Sequence, residues 1–132
     1  MFTPDFPEDG ILWRGWNPET LSIINEKQMP VLLFVADLDG LVWPFLREIL
    51  KEMPKNTKLR SLLHDSFPAL FIKAGEVPRE LTVLGAGSKY HIAILSPSGL
   101  TPLVTFNPIN STPSAVVDEI VTVLERLQQT WS

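Results

Sequence analysis

Two aspartates, Asp37 and Asp39, stand one residue apart where an apolar run ends in VLLFVADLDGLVW, residues 31–43. Carboxylates at the end of a buried strand can carry out phosphoryl transfer. One attacks phosphorus and holds it as an aspartyl ester, the other moves the proton, and a hard cation on oxygen ligands offsets the charge. The same residue types also serve as loop and cap residues, which need no chemistry. Other reactive groups are few. The chain has no cysteine, which removes disulfides, thiolate nucleophiles and thiolate metal sites. It has two histidines, His64 and His91. His64 beside Asp65 matches a catalytic pair in letters only, because adjacent positions near a helix end usually face solvent. Without cysteine, a zinc site would need carboxylates beside the histidines, and no spacing supplies them. Neither a metal nor a cofactor is expected.

The elements that must position these residues follow from periodicity and punctuation. Residues 1–16 read as an extended lead-in that Trp13 and Trp16 anchor to the body, and residues 17–132 as one domain. Asn17-Pro18-Glu19 starts a helix, with a capping side chain, a proline at the first helical position and an acid at the positive end of the dipole. Leu21, Ile23 and Ile24 are its expected buried side, and Pro30 ends it. VLLFVA, 31–36, is apolar on both faces, as a central strand covered by helices should be.

A second helix runs to about Met53, with Phe45, Leu46, Ile49, Leu50 and Met53 at helical spacing among charges. A shorter helix around Leu59, Leu62 and Leu63 leads to the strand ALFIK, 69–73. VPRELTVLG, 77–85, fits one helical turn or two. YHIAIL (90–95), the turn SPSG and TPLVTF (101–106) form an antiparallel hairpin, with Pro102 marking an edge strand. Thr112 and Pro113 open a last helix carrying Val116, Val117, Ile120, Leu124 and Leu127. A parallel pair extended by a hairpin and closed by a helix is an α/β, thioredoxin-like arrangement, with a central mixed sheet of about four strands flanked by helices.

Length and composition bound the function classes. The 132 residues, 45% hydrophobic and 20% charged, make one globular domain with a core of its own. A net charge of −4 offers no counterion-release term, so nucleic acid is not an expected partner. MFTPDFPEDG lacks the basic and apolar regions of a signal peptide. No apolar run approaches the roughly 20 residues that span a bilayer. A cytoplasmic protein away from membranes is the expectation.

Across residues 11–106 the chain resembles the thioredoxin-like domain of the spermatogenesis-associated protein family. ILWRGWNPETLSIINEKQMPVLLFVADLDGLVWPFL is similar to the opening of that domain, with Trp13, Trp16, Glu19, Glu26 and Pro30 at corresponding places. LLHDSFPALFIKAGEVPREL resembles its second-strand region, and HIAILSPSGLTPL its strand, Pro-x-Gly turn and following strand. The resemblance implies a Cys-x-x-Cys pair at the start of the second helix. Counted from Pro30, those cysteines fall on Gly40 and Trp43, so the motif has become GLVW. Counted back from Pro97, the family's proline beside the cysteines falls on Tyr90. A cis bond before a non-proline residue costs about 3 kcal/mol, so a trans bond is expected there. Thiol–disulfide exchange needs a thiolate, so oxidoreductase activity is not expected.

The Asp-x-Asp strand end also resembles that of haloacid-dehalogenase-type phosphatases, with Asp37 as nucleophile and Asp39 as acid/base. IAILSPSG could stand for their later strand ending in a phosphate-binding serine, Ser96. That superfamily further requires a lysine beyond the serine and a late acidic pair for magnesium. No lysine follows Lys89, and the late acids Asp118, Glu119 and Glu125 fall on an amphipathic helix.

Three readings stand. The first is a redox-inactive thioredoxin-like module that binds a protein partner. The second is a small-molecule binder using the same cleft, and the third a magnesium-dependent phosphatase. For the first two the candidate surface is Asp39, Gly40, Trp43, Tyr90 and His91, at the position of the lost cysteines. There Trp43 is either an exposed anchor or a plug filling the vacated space, and His91 either enters the site or is an ordinary half-buried strand residue.

Overall fold

A computed structural model describes residues 11, 13–73, 76, 90–107 and 111–131. The ambiguous stretch 77–85 lies outside the described residues. The elements are β1 (Trp13–Arg14), α1 (Pro18–Lys27), β2 (Val31–Ala36), α2 (Trp43–Glu52), a 3-10 turn (Met53–Lys55), α3 (Thr57–Asp65), β3 (Ala69–Lys73), β4 (Tyr90–Leu95), β5 (Pro102–Phe106) and α4 (Pro113–Trp131).

The helix starts expected at Asn17 and Thr112 are capped, and the structure adds a third cap at Asn56. Asn17 Oδ1 accepts the Thr20 N–H at 2.8 Å, and Asn56 does the same for Leu59 at the start of α3. Thr112 Oγ1 accepts from the Ala115 N–H at 3.3 Å at the start of α4. Helix α1 ends at Gln28, whose N–H still reaches the Ile24 carbonyl while its left-handed backbone turns the chain out of the helix. The buried side of α1 differs from the expectation. Thr20 and Ile24, one turn apart, face the sheet, whereas Leu21 is on the exposed side.

The sheet order is β1-β3-β2-β4-β5. Strand β2 runs parallel to β3 and antiparallel to β4, and β5 pairs antiparallel with β4. This is the expected α/β arrangement, a central mixed sheet flanked by helices, with one strand more than the four anticipated. The extra strand comes from the lead-in. Trp13 and Arg14 pair parallel with Ala69 and Leu70. The Trp13 ring meets Phe34 and Phe71 edge-on at 5.9 Å, while those two rings stack at 5.6 Å. Burying that ring holds the backbone within pairing distance of β3, which two residues of strand could not do unaided.

Strand β2 is wholly buried because both its faces are covered. Leu32, Phe34 and Ala36 pack with Ile92, Ile94 and the inner residues of α2, α3 and α4, including Leu46, Ile49, Leu59, Ile120 and Leu124. Val31, Leu33 and Val35 pack on the opposite face with Ala93, Leu95, Leu70, Ile72 and Ile24 of α1. The two anchoring tryptophans divide between these layers, Trp13 on the first and Trp16 on the second. Pro102 begins the edge strand β5, where its missing N–H disturbs no central pairing.

Candidate functional site

The loop that leaves β2 is built around Asp37. Its Oδ1 accepts the Asp39 N–H at 3.1 Å, and its carbonyl accepts the Gly40 N–H at 3.0 Å. The carboxylate thus organises its own turn, the Asx role. A methyl group on Gly40 would lie 3.2 Å from the carbonyl and carboxylate oxygens of Asp37, so a larger residue there would crowd this turn. The chain then turns again, with the Trp43 N–H donating to the Gly40 carbonyl at 3.2 Å, and enters α2.

The start of α2 offers no cradle for an anion. Trp43 and Phe45 both donate their N–H groups within the turn, and Pro44 has none. The helix carries no side-chain cap, since Val42 fills the cap position. Among the described residues, no three His, Asp or Glu side chains gather closely enough to hold a metal ion.

What the loop presents is apolar. Leu41 is fully exposed. Leu38, Val42, Trp43 and Phe45 are part-buried and pack against the larger core layer. Trp43 is thus neither a free anchor nor a complete plug, for part of its ring is held by the core and part meets solvent. Asp39, exposed, and Gly40 flank this apolar tip.

His91 stands at the same end of the sheet on its other face. It pairs with Val35, whose side chain belongs to the α1 layer, whereas Trp43 packs on the layer of α2 and α4. Alternation along a strand separates the two rings by the thickness of the sheet. His91 Nε2 is buried without a hydrogen-bond partner, and burial lowers its pKa below 6.5 by penalising the charged form. It is a half-buried strand histidine kept neutral. Tyr90 is opposite Ala36 in the register; its side chain, and the bond linking it to Lys89, lie outside the described residues.

Of the five candidates, then, Asp39, Gly40 and Trp43 come together on one loop, and His91 is directed elsewhere. Leu41, fully exposed between Gly40 and Val42, is not among the five. The available signal was its place directly after the glycine that closes the turn, since a side chain there leaves the loop at its apex.

His64 and Asp65 do touch, at 2.9 Å, with both side chains largely in solvent. Asp65 borders an open groove of about 360 Å³ between α3 and α4, which Lys58, Ser61 and Glu125 also line. That groove is remote in sequence from the β2–α2 loop, and within it Lys58 pairs with Glu125 at 3.8 Å. None of the described helices is long and apolar enough to cross a membrane. Compared with protein-family models and with curated proteins, the chain matches none significantly.

Proposed function

We propose that this chain is a thioredoxin-like domain without redox chemistry, related to the spermatogenesis-associated protein family, and that it serves as a protein-binding module. Its docking element is the loop from Asp37 to Trp43. The observation that carries the reading is Leu41, a large apolar side chain fully in solvent at the apex of a hydrogen-bonded turn. Scattered exposed apolar residues are ordinary. This one is different in setting, because it stands in a loop whose other apolar residues, Leu38, Val42 and Trp43, are part-buried against the core. The turn also holds it in place, which limits the entropy lost on binding. A half-buried tryptophan next to a protruding leucine gives a partner both a knob and an aromatic flank, the kind of centre on which binding energy concentrates.

The test is a photoreactive residue in place of Leu41, irradiated in cells of the native organism. A discrete adduct should form, and its partner should bind purified Leu41→Asp at least tenfold more weakly than wild type, a loss of about 1.4 kcal/mol or more. Unchanged affinity of that variant, at an unchanged melting temperature, would remove the loop from the interface.

A further inference from the structure

An aspartate followed by glycine is the pair most prone to rearrange its own backbone, and Asp39–Gly40 is such a pair in an exposed loop. The Gly40 amide nitrogen gives up its proton and attacks the Asp39 side-chain carboxyl carbon. The carboxyl oxygen leaves as water and a five-membered succinimide closes. Water then reopens the ring. Opening at the former main-chain carbonyl leaves an isoaspartate, whose chain runs through Cβ and whose α-carboxylate has become the side group. One water leaves and one returns, but the main chain is one atom longer. Glycine favours the reaction because no side chain shields its nitrogen.

Gly40 takes part in both turns of the loop. Its N–H donates to the Asp37 carbonyl at 3.0 Å, and its carbonyl accepts the Trp43 N–H at 3.2 Å. A backbone lengthened just before Gly40 cannot keep both turns as they are, and Leu41, the next residue, would be displaced.

The same bonds oppose the reaction. The nitrogen that must attack has its proton engaged by the Asp37 carbonyl, and the Asp39 N–H is held by Asp37 Oδ1 at 3.1 Å. Asp37 thus grips the backbone on both sides of the Asp39 side chain. Nitrogen and carboxyl carbon are free to seek each other only when this turn opens.

We infer that Asp39–Gly40 is a latent isoaspartate site and that Asp37 is the positioning residue that keeps it from rearranging. The two aspartates then differ in role, Asp39 being the residue at risk and Asp37 its guard. The chemistry stands whether or not the loop docks a partner; only the consequence of losing Leu41 from its place rests on that reading.

The purified protein is aged at neutral pH and body temperature, folded or unfolded in guanidinium chloride, and digested with trypsin. Peptide 28–47 carries Asp39–Gly40 apart from the chain's other such pair, Asp9–Gly10. Electron-transfer fragmentation then assigns isoaspartate to position 39. The folded wild type should accumulate it at least about tenfold more slowly than the unfolded chain, and Asp37→Ala should speed the folded rate at least about tenfold. Asp37→Asn, whose amide oxygen accepts the same bond, should age like wild type. Asp39→Glu should give no signal at 39, because the six-membered ring closes far more slowly. Circular dichroism shows which variants are folded. A wild type that ages as fast folded as unfolded would overturn the inference. So would a folded Asp37→Ala that ages no faster than wild type, or Asp37→Asn ageing as fast as Asp37→Ala.

Discussion

Residues 31–36 and 37–43 adjoin in the chain and are both rich in apolar side chains, but the first six are wholly buried while Leu41 in the second set is fully exposed. The difference is one of neighbours. Strand β2 sits between β3 and β4 with helices over both faces, so every direction a side chain can take is already occupied by protein. The loop begins where that enclosure ends. Its backbone groups are satisfied locally, by Asp37 and by the turn at Gly40, and it needs no burial to be held in shape. An apolar side chain on such a loop contributes nothing to folding and remains free to contact something else.

The largest effect expected from this contrast lies inside β2. Phe34 is fully buried and stacks on Phe71 with Trp13 at its edge. Phe34→Ala should lower stability by about 3–5 kcal/mol in urea unfolding, the range for a fully enclosed aromatic. A loss below about 1 kcal/mol would mean the core layers relax around the cavity, and the contrast would fail.

Trp43 sits on the border. Its part-burial against the core should make Trp43→Ala cost about 2 kcal/mol, less than for a buried aromatic and more than for a surface one. Urea unfolding with a loss near 4 kcal/mol would reclassify the residue as a plug. A loss near zero would make it a free anchor.

His91 marks the same border from the α1 side. Its folded-state pKa lies below 6.5 because burial disfavours the imidazolium. Below that pH the unfolded chain binds a proton that the folded chain refuses, so stability falls as pH drops from 6.5 and is flat just above it. Chemical denaturation between pH 7.5 and 5 should show this decline, and His91→Gln should flatten it. An equally steep decline in the variant would assign the dependence to other groups.

The smallest effect on stability belongs to Leu41. Leu41→Asp should change the unfolding free energy by no more than about 0.5 kcal/mol, as for a surface position without special contacts. A melting temperature well below wild type would show that Leu41 is covered in solution, and would end the contrast from which its docking role is drawn.

The sequence by itself determined the elements and most of their order. Asn17 as a cap, Pro30 as a stop, the doubly apolar run 31–36 and the hairpin around SPSG are local signals, each legible within a few residues. It also excluded thiol chemistry, since no fold can supply a missing sulfur. Tertiary structure alone decided what depends on contacts between distant segments. Trp13 and Arg14 became a strand because β3, more than fifty residues on, offered them an edge and a pair of aromatic rings. Leu21 faced outward on α1 while Thr20 was buried, because the sheet met the helix along another stripe. His91 parted from Trp43 because strand alternation, set by the pairing of β4 with β2, put them on opposite faces of the sheet. Leu41 became the exposed residue because the second turn, closed by the Trp43 N–H on the Gly40 carbonyl, carries it out into solvent, and hydrophobicity along a chain carries no information about which apolar residue the folded body will fail to reach.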